Sequence, residues 1–364
     1  MNRVSLLFAE PFGALCVLAG ILACADSTGI ASDRSPSVNL SCSIPRSQLL
    51  NGGPGKDGIP ALTNPTFVPD RHEEAGYLLA SDRVVGIVLD SQPLAIPLNI
   101  FWWHEIVNLD RGTQVVAVTH CPLTGSTLAF HRSGVGGAEF GVSGLLYQNN
   151  LVMYDRRDPE SLWPQMIRGA RCGAADGTDL TMVPVVEMTW EGWRTLHPST
   201  LVVSANTGYS RNYQSYPYGD YDDLQNASLL FPGSVDNRRP PKERVLGIPH
   251  GTGGLAFPFG LLDESGARAA VHAENAGDPL VVFWGPEWDY AMAYSARLDG
   301  QTLTFSVSQG QIRDDQTGST WRPDGVAVLG PLAGKALDPV PEAFVAFWFA
   351  WPTFYSDVEI WRPQ

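Results

Sequence analysis

The chain has 364 residues, 17% of them charged and 44% hydrophobic, with 37 glycines and 28 prolines, a turn-rich globular composition unlike that of a disordered chain. Its formal charge of −14 is not offset by any basic stripe, which argues against nucleic acid as a partner and fits a secreted protein kept soluble by self-repulsion. The length suggests two domains or one large all-β body.

At the N-terminus, Arg3 precedes a mostly apolar stretch from Phe12 to Ala23, interrupted upstream by Glu10 and Pro11, that runs into Ile21-Leu22-Ala23-Cys24. At about a dozen residues the stretch is too short for a membrane-spanning helix, which needs ~20, and a small residue directly before the cysteine is what the lipoprotein-processing peptidase requires. Residues 1–23 therefore read as a lipoprotein-type signal peptide and Cys24 as the lipid-bearing N-terminus. Ordinary secretion is the alternative, because Leu22 is bulky for its position and Glu10 dilutes the positive end. The expected location is the bacterial envelope, periplasmic or cell-surface, with the membrane reached through the lipid anchor. Residues 24–40, rich in Ser and Asp, read as a polar tether. Beyond Cys24 stand Cys42, Cys121 and Cys172, and outside the cytoplasm a disulfide plus one odd thiol is the expectation.

The mature sequence repeats itself. From Arg83 it runs Val84-Val85-Gly86-Ile87, Ala95-Ile96-Pro97-Leu98, Val115-Val116-Ala117-Val118 and Leu128-Ala129-Phe130; from Arg244 it runs Val245-Leu246-Gly247-Ile248, Ala256-Phe257-Pro258-Phe259, Leu280-Val281-Val282-Phe283 and Met292-Ala293-Tyr294. The series continues with Ser161-Leu162-Trp163 against Ser319-Thr320-Trp321, Gly169 and Gly173 against Gly330 and Gly334, and Trp190 and Trp193 against Trp348 and Trp351. Such an ordered series predicts a tandem duplication with a period of about 160 residues: repeat one, with an N-terminal extension, over residues 41–208 and repeat two over 244–364.

Within each copy the apolar segments are short, rich in Val, Phe and Trp, and separated by Gly, Asp, Asn and Pro, which is a strand signature. The expected fold is all-β or β-dominant α+β: two tandem pseudo-symmetric repeats, barrel-like or sandwich-like, with short helices near Leu98 to Trp103 and Trp190 to Thr195. Phe344 to Trp351 alternates large and small residues as a strand does. Residues 209–243, containing Tyr216-Pro217-Tyr218 and Arg238-Arg239-Pro240-Pro241, read as an ordered strap between the copies.

A set of segments spread over nearly all of the mature chain resembles the bacterial domain-of-unknown-function 3179 family. They are Lys56-Asp57-Gly58-Ile59-Pro60-Ala61-Leu62, Trp103-His104-Glu105-Ile106-Val107-Asn108, Thr119-His120-Cys121-Pro122-Leu123, Phe140-Gly141-Val142-Ser143-Gly144, Leu151-Val152-Met153-Tyr154-Asp155-Arg156 and Phe347-Trp348-Phe349-Ala350-Trp351. The resemblance implies an exported or envelope protein and supplies no activity. Relatives carry a second cysteine three residues after the first, where this chain has Thr124, so a Cys-Pro-x-Cys redox or metal pair cannot operate unchanged here.

Duplication provides an internal control: a residue the fold requires should recur, and one confined to a single copy becomes a candidate for function. Cys121-Pro122 aligns over Gly285-Pro286 and Cys172 over Ala333, so both thiols are missing from copy two. A Cys121–Cys172 disulfide or shared ligand set would explain the joint absence; free buried thiols and a redox or metal role are the alternatives. His104-Glu105 falls opposite Asp263-Glu264-Ser265, and an imidazole beside a carboxylate suits a general acid and base pair or a metal ligand with its orienting neighbour. A histidine that caps a helix or bonds a backbone carbonyl is the bland alternative.

His104, His120, Cys121 and Met153 make the inventory of a soft-metal site, such as copper, although the close Cys-to-His-to-Met loop of blue-copper proteins is absent and Met153 sits in a core-like run. Tyr154-Asp155-Arg156 faces Arg313-Asp314-Asp315 in copy two; such a cluster pins a loop or, with Asn108, offers a polar grip to a ligand. No Gly-x-Ser-x-Gly elbow, His-Glu-x-x-His, Walker loop or dinucleotide fingerprint occurs. The resulting expectation is an envelope lipoprotein whose first repeat keeps a small ligand or metal pocket around His104, Glu105, Asn108 and Cys121. The rival readings are a non-catalytic scaffold recognising a small molecule, peptide or saccharide, and a thiol-redox or metal-dependent enzyme.

Overall fold

Short Val- and Phe-rich runs bounded by turn residues fold as β-hairpins, and the computed structural model, which describes residues 40–363, is built from them. The expected leader at residues 1–23, Cys24 and the expected tether, Leu40 apart, lie outside the described residues.

In copy one, strands β1 (Arg83–Leu89) and β2 (Gln92–Pro97) form a hairpin over which the helix α1 (Leu98–His104) folds. A meander follows: β3 (Ile106–Arg111), β4 (Gln114–Cys121) and β5 (Ser126–His131). A second meander comprises β6 (Phe140–Tyr147), β7 (Asn150–Asp155) and β8 (Leu162–Pro164). Next come β9 (Val186–Thr189), which returns to pair with β1, and the helix α2 (Trp190–Leu196), after which Leu201–Val203 pairs in parallel with β2.

Copy two runs through the same steps. The hairpin of β10 (Arg244–His250) and β11 (Gly253–Pro258) leads to α3 (Phe259–Asp263). One meander holds β12 (Ala269–Asn275), β13 (Asp278–Gly285) and β14 (Tyr290–Ser295), and the next holds β15 (Phe305–Ser308), β16 (Gln311–Asp314) and β17 (Thr320–Trp321). β18 (Phe344–Phe347) then pairs with β10, and α4 (Ala350–Phe354) follows. All these sheets are open, so among the described residues the fold is sandwich-like with few short helices and not a closed barrel.

The expected strand from Phe344 to Trp351 stops at Phe347. The chain must turn there because Trp351 packs flat on β10, where a Cβ on Gly247 would come within 2.2 Å of its ring; Gly86 of β1 lies under Trp193 at the same 2.2 Å. Other contacts recur in pairs. Trp163 Nε1 donates to Asp155 Oδ2 at 2.7 Å and Trp321 Nε1 to Asp314 Oδ2 at 3.0 Å. Gly173 and Gly330, at φ +94° and +95°, both abut a serine, Ser161 or Ser319. These pairings correct the sequence alignment by four residues: Gly173 and Gly177, not Gly169 and Gly173, correspond to Gly330 and Gly334, and Cys172 stands over Leu329.

The copies interlock. β9 of copy one packs on β14 of copy two, and β18 of copy two packs on β5 of copy one, where Phe347 N donates to Thr124 O at 2.8 Å. One hydrophobic core joins Ala117, Leu128 and Phe130 to Val245, Phe344 and Trp351, and its counterpart joins Val84, Val186 and Trp193 to Val281, Phe283 and Trp321. With each large buried side chain contributing roughly 1.5–3 kcal/mol, these shared cores outweigh any single polar contact between the copies. At their boundary Glu187 on β9 accepts from Arg83 Nη1 and Arg244 Nη2, both at 2.8 Å, and from Thr127 Oγ1 at 2.9 Å. Arg83 and Arg244 open β1 and β10, so one carboxylate clasps two equivalent arginines.

The disulfide links Cys42 to Cys172, a sequence separation of 130, and not Cys121 to Cys172. The backbone of Cys42 bridges that of Cys172, which itself bridges Leu162 at β8. Cys121 is instead enclosed in the first shared core and is a free thiol. Copy two lacks a counterpart of the bridge because Cys42 belongs to the N-terminal extension, which is not duplicated.

Candidate ligand cavity

The site begins where α1 ends. Glu105 adopts φ +54°, a conformation uncommon outside glycine, while its N–H still closes the last helical turn on Phe101 O at 2.8 Å. The backbone reverses there, and adjacent side chains part. His104 turns to one side and is fully buried: Nδ1 lies 2.8 Å from Pro60 O and Nε2 2.7 Å from Tyr213 Oη. A carbonyl can only accept, so Nδ1 carries the proton and Nε2 accepts from the tyrosine. Burial holds the pKa of this imidazole down to about 4. Both ring nitrogens are committed to tying α1 to the 60s segment and to the strap.

Glu105 turns to the other side, into a cavity of about 450 Å³ walled by Ile59, Leu123, Val142, Leu146 and Leu151 and roofed by Tyr218 and Phe231 of the strap. Among the described residues its carboxyl has no hydrogen-bond partner, and burial raises its pKa to about 8, so it is protonated at neutral pH. The strap is fastened on both sides of this roof. Lys242 Nζ donates to Tyr221 O at 3.0 Å and Ser228 O at 2.6 Å, Tyr221 Oη donates to Leu123 O at 2.9 Å, and the Asn149 amide grips Phe231 N and Pro232 O at 3.2 and 3.1 Å.

Cys121 sits behind the cavity wall. Its sulfur accepts from Leu151 N at 3.3 Å, and burial, together with the nearby Glu105, pushes the thiol pKa up to about 11. A thiol so held is a poor nucleophile and a poor metal ligand. The soft-metal inventory does not assemble: His104 is fully engaged, His120 bonds Thr127 Oγ1 at 2.9 Å from the face opposite Cys121, and Met153 is enclosed in the core. Among the described residues no three His, Cys, Asp or Glu side chains group as a ligand set.

Asn108 leaves the site for a structural reason. Its Oδ1 accepts from Phe140 N at 2.9 Å, and in copy two His272 Nε2 accepts from Phe305 N at 2.8 Å, so the fold needs an acceptor at this position in both copies. Asp155 likewise repeats as Asp314. Arg156 is already forked onto Asp57, at 2.8 and 3.0 Å, and Tyr154 donates to the same carboxylate, so this cluster pins the 50s loop. Strand register through the first meanders sets Glu105 over Ala269 and Cys121 over Gly285, replacing the looser match of Glu105 with the 263–265 region.

Sequence reasoning missed a buried polar network in copy one. Gln165 Nε2 donates to Thr119 Oγ1 at 2.8 Å, Ser126 Oγ donates to Gln165 Oε1 at 2.6 Å, and Asn150 Nδ2 donates to Gln165 Oε1 at 2.8 Å and to Thr124 Oγ1 at 2.9 Å. Copy two has Phe283 and Tyr290 where copy one has Thr119 and Ser126, so the internal comparison contained the signal. The members satisfy one another and leave no group aimed at a cavity.

No curated protein and no solved structure matches the chain. The family model described as protein of unknown function (DUF3179) matches residues 56–358, a span that takes in the repeated hairpins and meanders, the strap, and Glu105 with most of the wall of its cavity, and the protein belongs to that family.

Proposed function

We propose that the protein is a ligand-binding lipoprotein of the bacterial cell envelope, anchored through Cys24, whose copy-one cavity holds a small, mostly apolar molecule by a hydrogen bond to Glu105. The observation that carries this reading is the Glu105 carboxyl, buried in an apolar cavity without a partner among the described residues. Copy two manages with Ala269 at the same place, so the fold does not require a carboxyl there. A neutral carboxyl both donates and accepts, which suits a hydroxyl, carbonyl or amide on an otherwise apolar ligand. Binding is favoured over turnover because Cys121 is held as a thiol and both nitrogens of His104 are occupied. The leader pattern and the Cys42–Cys172 disulfide support an oxidising compartment outside the cytoplasm.

The test is fluorescence titration with 1-naphthol, an apolar bicycle bearing one hydroxyl, against naphthalene as the control. Wild-type protein is expected to bind both, and Glu105→Leu to weaken naphthol about tenfold, the value of one hydrogen bond to a buried partner, while sparing naphthalene. Failure of naphthol to bind, or equal naphthol affinity in Glu105→Leu, overturns the reading.

A further inference from the structure

A second cavity, of about 360 Å³, lies where copy one meets the C-terminal segment, and its wall includes Arg168, Arg171, Asp179, Phe354 and Tyr355. Arg168 follows the short turn after β8 in a left-handed conformation, φ +62°. The same place in copy two belongs to Gly325 at φ +76°, as matching bonds show: Leu180 N donates to Arg168 O at 2.8 Å, and Leu337 N donates to Gly325 O at 2.9 Å. Copy one thus keeps a long cationic side chain at a backbone position suited to glycine.

Its neighbours satisfy the guanidinium only in part. Its Nε is buried with no acceptor, Nη1 reaches only Met182 Sδ at 4.0 Å, and among the described residues no carboxylate pairs with it. That is unexpected in a chain where 38 Asp and Glu outnumber 24 Lys and Arg. Tyr355, whose ring centroid is 5.9 Å from the guanidinium carbon, donates its hydroxyl to Met166 O at 2.7 Å, and the same oxygen stands as an acceptor toward Arg168, which leaves the rest of the guanidinium fork without a polar partner among the described residues. Arg171 brings a second guanidinium to the cavity; it donates to Ala170 O at 2.7 Å and otherwise meets only the exposed Asp179, 3.5 Å away.

We propose that Arg168 and Arg171 form an anion-binding site for a small oxyanion group, a phosphate or a carboxylate. Two planar forks facing one cavity match the geometry of either group, and Phe354 and Tyr355 offer apolar surface to whatever carries it. Asp179 is the opposing charge; 78% exposed, its side chain has room to swing into water as the anion enters.

The experiment is thermal melting of the purified protein in sodium phosphate and, separately, sodium acetate, each against sodium chloride of equal ionic strength. Wild type is expected to melt higher in at least one of the two, phosphate alone assigning a phosphate ligand and acetate alone a carboxylate. Arg168→Gly, which relieves the left-handed backbone, is expected to melt no lower than wild type in chloride and to need about tenfold more anion for the same rise. Arg171→Gln should weaken the response as well, and Arg168→Lys, which keeps the stem but not the fork, should fall between wild type and Arg168→Gly. The proposal is overturned if wild type does not respond, if the variants respond like wild type, or if Arg168→Gly and Arg168→Lys both melt well below wild type in chloride, which marks Arg168 as packing.

Discussion

A carboxyl kept neutral by burial has a cost that depends on pH, and Glu105 carries that cost for the whole molecule. Its pKa rises from 4.5 to about 8 on folding, so between those values the unfolded chain releases a proton that the folded chain retains. Stability therefore falls as pH climbs through this window, by about 3 kcal/mol at pH 7, and the loss is absent below the unfolded pKa. Glu105→Gln removes the titration while keeping the shape. The variant is expected to melt higher than wild type at pH 7 and to match it at pH 4; equal melting at both values would show that the carboxyl is solvated or paired. His104 and His120 act in the opposite sense, since both are lowered to about 4 and stability is lost as pH falls below 6.5. The sequence singles out His104 and Glu105 as a conspicuous pair, yet their separation depends on one positive φ at Glu105, which no spacing rule reports. Asn108 was misjudged for a related reason: its counterpart is His272, a different residue with the same acceptor, so identity alone hid the recurrence.

Among elements, the strands and the first two helices were legible because periodic apolar runs and turn residues are local signals. Longer-range chemistry was not. The Cys42–Cys172 bridge joins the N-terminal extension to the segment after β8, and nothing in the spacing of three cysteines distinguishes that pairing from Cys121 with Cys172. The run from Phe344 to Trp351 keeps an alternating pattern although its second half is a turn entering α4, because the need to lay Trp351 on Gly247 is tertiary. That packing makes a paired prediction. Gly86→Ala and Gly247→Ala each drive a methyl to 2.2 Å from an indole that is fixed by its own core, and each is expected to cost about 1–3 kcal/mol or more. Denaturant midpoints should fall by similar amounts in the two variants, as equivalent positions demand. A tolerated alanine at only one of them would mean that the two tryptophans do not have equivalent roles.

At the scale of the whole molecule the duplication is not a pair of beads. Each copy sends a late strand, β9 or β18, against the other copy's first meander, so two of the principal cores draw side chains from both halves. The Glu187 clasp adds direction to this, since a buried carboxylate between Arg83 and Arg244 leaves uncompensated charge if the halves slip. Cavities placed beside such a frame gain rigidity: the strap that roofs Glu105 is also the covalent link that brings β10 into register beside copy one. Each half also keeps a core of its own, around Val85, Phe101 and Val118 in copy one and around Leu246, Phe257 and Val282 in copy two, but either fragment would cut through both shared cores. A chain cut after residue 208 would uncover one side of Phe130 and Trp193, and one begun at residue 244 one side of Phe283 and Trp351, since all four pack in cores shared with the other half. Each fragment expressed alone is therefore expected to aggregate or to lack cooperative melting. Co-expression of residues 41–208 with residues 209–364 is expected to give a soluble one-to-one complex with a single transition. A fragment that melts cooperatively by itself would show that its own cores suffice and that the exchange of strands is incidental to folding.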